Sequence, residues 1–156
     1  MDRFFTLELI IRLAASFVGA GAFSVVFKVN RRHVLFGALN GLITYFVYYT
    51  VFFFSESFFG AAFVSTAFAA AFSELMARIH RAPTSVFLIP GVIPTVPGSN
   101  LYLFMRGILV SDMSEATEQL LITLSIALGI ALGAVVVSTV WRTVHHKIKG
   151  KKTKRA

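Results

Sequence analysis

Residues 86–102, VFLIPGVIPTVPGSNLY, constrain this chain more than any other stretch. The run is almost wholly apolar and long enough to enter a membrane, yet Pro90, Pro94 and Pro97 stand inside it. Each proline lacks a backbone N–H and crowds the carbonyl four residues earlier, which excludes one unbroken helix. Broken backbone survives at membrane depth only where protein or a water-lined cavity satisfies the freed groups. The rest of the chain must therefore shelter this segment, and a function is the expected reason for the shelter.

The flanking sequence supplies the means. Only 14% of the 156 residues are charged, against roughly 25% in soluble domains. The chain reads as an all-α integral membrane protein with five spans, at about residues 4–29, 34–54, 58–78, 85–110 and 119–141, the fourth being the broken one. A secretory signal peptide does not fit the first span, because no small-residue cleavage site follows a short apolar core. There is no cysteine, so disulfides and thiolate metal sites are excluded, and neither a metal nor a cofactor is expected.

Charge sets the expected orientation. Seven of the fifteen Lys and Arg residues lie in 142–156, and no acid lies there. The short loops around residues 28–33 and 77–83 are also basic, while 55–57 and 111–119 are acidic. Basic loops stay cytoplasmic, which predicts an amino terminus outside and a carboxyl terminus inside. Residues 1–142 then form the membrane domain. Residues 143–156 form a disordered cytoplasmic tail that meets anionic lipid rather than nucleic acid. A re-entrant hairpin at 86–110 would put the cationic tail outside, and is rejected for that reason.

Within the spans, the polar and small residues carry the information. Gly37 and Gly41 in the second span, and Gly129 and Gly133 in the last, form GxxxG pairs that admit close helix neighbours. Asn40, between the first pair, is the strongly polar side chain of its span. Glu8 and Arg12 can pair at i,i+4. In the third span, Gly60, Ala67, Ala71, Glu74 and Arg78 share one face at helical spacing, so Glu74 is expected to point into the bundle. It is there either as a proton carrier or charge gate, or as an ion-pair partner of Arg78.

In the broken span, Thr84 to Ile89 is predicted as a half-helix ended by Pro90-Gly91, with 91–98 irregular. Ser99 or Asn100 would cap a second half-helix to about Leu109, and Ser114 and Glu118 offer caps for the last span. Free carbonyls of the first half-helix and free N–H groups of the second would then face each other, suiting an ammonium and a carboxylate respectively. The expected substrate contacts are Pro90, Gly91, Pro94, Pro97, Gly98, Ser99, Asn100 and Tyr102. An intramembrane enzyme is not expected: no HExxH and no membrane aspartate pair occurs, and the four histidines fall in loops or the tail.

The pattern Ser73-Glu74-Leu75, Ala77-Arg78, Pro83, Phe87-Leu88, Pro90-Gly91, Ile93-Pro94, Val96-Pro97-Gly98 and Tyr102 resembles the signature of the threonine/serine exporter family. The likeness is to its carboxyl-terminal half, which in many bacteria is a separate small membrane protein. It implies a bacterial plasma-membrane exporter of threonine, serine or small organic acids, acting with a second, larger subunit. Thr95, where an aliphatic residue is expected, and the long basic tail depart from the family pattern. Without the larger subunit, self-association would supply the missing neighbour. The alternative to an exporter is a non-transporting assembly subunit or a passive channel.

Overall fold

A computed structural model describes residues 2–153, with side chains placed for 7–141 and 143. Among these residues every regular element is helical: α1 Asp2–Val26, α2 Arg31–Ser55, α3 Phe58–Ile79, α4 Ser85–Val92, a 3-10 turn Ile93–Thr95, α5 Gly98–Leu109 and α6 Met113–Thr153. Four helices are long and apolar enough to cross a membrane, and the bent pair Ser85–Thr95 and Gly98–Leu109 makes a fifth if it counts as one span.

The turns explain where helices stop. Lys28 and Glu56 adopt the left-handed conformation, with φ of 55° and 51°. Asn30 Oδ1 then accepts from Arg32 N at the start of α2, and Ser57 Oγ accepts from Gly60 N at the start of α3, satisfying donors that a helix start leaves free. The last helix begins earlier than its apolar run suggests. The cap there is Asp112, whose Oδ1 accepts from Glu115 N at 3.1 Å, not Ser114 or Glu118. The acidic segment expected as a loop is thus the first turns of α6. At its far end α6 continues to Thr153, so the backbone expected to be disordered from 143 is helical that far. The lipid contact expected of the tail lies outside the described side chains.

Close approaches fix the directions of the helices. A Cβ on Gly37 would meet Ser24, and one on Gly41 would meet Ala20, so α1 and α2 run antiparallel. A Cβ on Gly129 would lie 2.8 Å from the Phe59 carbonyl oxygen, and one on Gly133 would lie 2.6 Å from that of Phe63. Both partners advance together, so α3 and α6 run parallel. Gly107 of α5 packs against Ala116 near the start of α6, and Phe87 of α4 packs against His80 at the end of α3. The bent pair therefore carries the chain from one end of the bundle back to the other. The ends of α1 and α3 with their basic loops share one end with Trp141, over which Arg78 lies.

The α3–α6 contact gives a direct test. Gly133→Val would press a branched side chain into a backbone carbonyl that cannot step aside. We expect a loss of about 2–3 kcal/mol, read as a lower unfolding midpoint in detergent. Gly19→Val, at a site with open space for a Cβ, should leave the midpoint nearly unchanged.

The buried side of α3 is not the one that spacing suggested. Ala61, Ala62, Ser65, Thr66, Ala69, Ala70, Ser73 and Ala77 are buried, whereas Gly60, Ala67, Ala71 and Glu74 are half-buried and Arg78 is exposed. Alanine and serine surround most of this helix, so small residues alone do not single out one face.

Candidate functional site at the broken helix

The break is tighter than the prolines imply. Pro90 falls only one turn into α4, so the helix loses one internal hydrogen bond and continues through Gly91 and Val92 into the 3-10 turn. The chain separates at Pro97, with φ −78° and ψ 54°. This is an inverse γ-turn, closed by Gly98 N donating to the Val96 carbonyl at 2.8 Å. The two helices on either side are bent by 49°. The expectation of an unwound stretch over 91–98 is therefore corrected.

The carbonyls expected to be free are largely taken. Val92 O accepts from Thr95 Oγ1 at 2.8 Å. Ile93 O accepts from Val96 N at 3.2 Å, and Pro97 O from Leu101 N at 3.1 Å. Pro94 has no N–H to offer Pro90 O, which instead faces Gly41 closely enough that a Cβ there would lie 3.4 Å away. At the second half-helix, neither Ser99 nor Asn100 caps: the N-cap is Pro97, without a side-chain bond. Among the described residues the amides of Ser99 and Asn100 take no carbonyl outside the helix, so the donor end of the device is retained.

Gly91 explains how α4 is seated. It does not end a helix, since no glycine has positive φ. A Cβ on Gly91 would run into the Asn40 side-chain amide, with Asn40 Cγ only 2.7 Å away. The glycine is a notch, and Asn40 fills it. Asn40 is fully buried. Its Nδ2 donates to the Phe87 carbonyl of α4 at 3.0 Å, to Ser73 Oγ of α3 at 3.0 Å and, at 3.4 Å, to the Ala69 carbonyl. Its Oδ1 accepts from Thr44 Oγ1 at 3.4 Å. One amide thus ties three helices together where the proline helix needs neighbours.

The structure therefore divides the eight sequence-predicted contacts. Pro90, Gly91 and Pro94 face Asn40, Gly37 and Gly41 in the interior. Pro97 forms the turn. Gly98, Ser99 and Tyr102 are exposed, Tyr102 by 66%. Asn100 donates to Gln119 Oε1 at 2.9 Å and so ties α5 to α6. Residues not singled out as contacts, Asn40, Thr44 and Ser73, are joined by hydrogen bonds into a buried polar centre, and Thr95 is buried on the adjoining 3-10 turn. The spacing of Asn40 between Gly37 and Gly41 was the available signal. Glu74, beside Ser73 in sequence, is half-buried. Arg78 reaches over the Trp141 ring, 5.1 Å from its centroid. Between the broken helix and α6 lies a cleft of about 300 Å3 with Thr66, Leu88, Val92, Ile93 and Ile130 in its lining; none of these is charged.

An all-helical bundle of apolar spans, with a proline-broken helix held by a buried amide, defines a multi-pass membrane protein of the transporter type. A family model described as Threonine/Serine exporter, ThrE, matches residues 12–140. The chain belongs to the threonine/serine exporter family, a family of membrane transport proteins. No curated protein and no solved structure matches it.

Proposed function

We propose that the chain is one subunit of an exporter that carries threonine, serine or a related small carboxylic acid across the bacterial plasma membrane. The observation that carries this reading is the polar centre around Asn40, built against the proline-broken α4 inside an apolar bundle. Buried polar groups in a membrane bundle are costly, and they mark substrate paths. The amides of Ser99 and Asn100 supply positive partial charge for a carboxylate, and the hydroxyls of Thr44, Ser73 and Thr95 match a hydroxyl-bearing side chain. The bent pair serves as one crossing, which makes five. The basic end is cytoplasmic, which puts the amino terminus outside and the carboxyl terminus inside. The exposed break at Val96, Gly98 and Ser99 calls for covering protein at membrane depth, from a second, larger subunit of the family or from another copy.

Threonine efflux from liposomes, with the chain alone and with its partner, tests the function. Saturable efflux that follows an imposed gradient supports it. Gradient-independent leak would make the protein a channel, and no flux in either setting would make it an assembly subunit.

Glu74 is the proposed proton carrier or charge gate. Glu74→Gln is expected to lower coupled export at least tenfold, about 1.4 kcal/mol in the barrier, while the protein is still made and inserted. Export at the unsubstituted rate would remove Glu74 from the mechanism.

A further inference from the structure

The basic end of the bundle holds a cluster that the substrate contacts do not use. His33, in the first turn of α2, and His80, the C-cap of α3, meet edge to face with ring centroids 5.1 Å apart. Phe87 of α4 lies 5.5 Å from the His33 ring and 6.0 Å from the His80 ring. Phe36 lies 4.5 Å from the His80 ring. Phe87 is fully buried, and its carbonyl is the one that Asn40 holds. The two imidazoles therefore grip the residue through which α4 is fixed at the substrate site.

Protonation would oppose this packing. His33 Nδ1 is buried and has no hydrogen-bond partner. A ring nitrogen can keep a bare lone pair there, but as the N–H of an imidazolium it would be a buried charged donor with no acceptor. The surroundings do not compensate. Among the described side chains at this end, the charged groups are Lys28 after α1, Arg31 and Arg32 on α2, and Arg78 and Arg81 at the end of α3, with Arg78 over Trp141 of α6. α4 brings no charge, and the acid on α3 is Glu74, more than a turn before His80. Charging both rings sets two cations side by side among further cations.

We propose that His33 and His80 form a proton-operated latch on the broken helix. Neutral, they clamp Phe87 and close the basic end; protonated, they release α4 and open a path from that end toward Asn40. The inference rests on the substrate being held at the broken helix. It is tested by accessibility rather than transport, so failure of the latch and failure of the transport reading are separate results.

The chain has no cysteine, so Ala77→Cys places a single thiol on α3 between Ser73 and His80, at a residue only 8% exposed. The full chain in nanodiscs is labelled with a maleimide. Its rate is divided by that of Ser111→Cys, at the exposed α5–α6 turn, which cancels the reagent's own pH dependence. The ratio should rise about tenfold between pH 8 and pH 5.5. His33→Phe with His80→Phe keeps the ring packing and should hold the ratio low at both pH values. Should that pair not be produced, His33→Gln is read the same way. A flat ratio in the chain with both histidines, or a rise that survives their replacement, would overturn the latch.

Discussion

Replacing Gly91 with alanine is expected to unseat α4 from α2. The added methyl would occupy the space of the Asn40 amide. Asn40 cannot turn away without giving up its bonds to the Phe87 carbonyl and Ser73. Overpacking costs about 1–3 kcal/mol, and each buried hydrogen bond lost adds about 1 kcal/mol. Together these give a loss of about 3–5 kcal/mol, enough to remove a marginally stable fold. Unfolding in detergent, followed by circular dichroism, measures it. Asn40→Ala should relieve the clash, so the double variant should be less damaged than the two single losses combined, by about 1 kcal/mol or more. Strict additivity would mean that the two side chains do not meet.

The second large effect belongs to Asn40 itself. Asn40→Asp keeps the shape and removes the donors. An ionised carboxylate is an acceptor only, and here it would face the carbonyls of Phe87 and Ala69. Even protonated, it offers one donor where the amide offered two. Asn40→Asp should therefore cost more than about 3 kcal/mol and do more harm than Asn40→Ala, which leaves a small void but no opposed charge. The comparison needs unfolding midpoints and membrane yields of both variants. A milder effect for aspartate would show that the amide protons do not hold the broken helix.

The contrast between these residues shows what the sequence could and could not reveal. Long apolar runs declare membrane helices by length and hydropathy alone, and the prolines declare a broken one by covalent chemistry. Those properties are local, so the four long spans and the broken pair between them were legible. The fit of Asn40 into Gly91 is not local: it joins α2 to α4 across a third of the chain. Asn40 reads as polar and Gly91 as a helix terminator until the two helices are placed together. The position of the break was misread for a related reason. A proline one turn into a helix removes little, and the next two prolines permit a 3-10 turn and a γ-turn without a long irregular stretch. The face of α3 was unreadable because its alanines lie nearly all round. The caps of the acidic segment were missed because Asp112 precedes the polar residues that first attract notice.

The central claim is that substrate is held at the broken helix beside Asn40. Thr95, nearly buried on the 3-10 turn, is the place to ask. In the cysteine-free chain, Thr95→Cys is alkylated in membranes with and without threonine or serine, while threonine export is measured on the same preparation. Concentration-dependent protection of that thiol by either amino acid, with none at Leu121→Cys on the exposed side of α6, is the predicted result. Undiminished labelling at saturating amino acid, while export continues, would contradict the account.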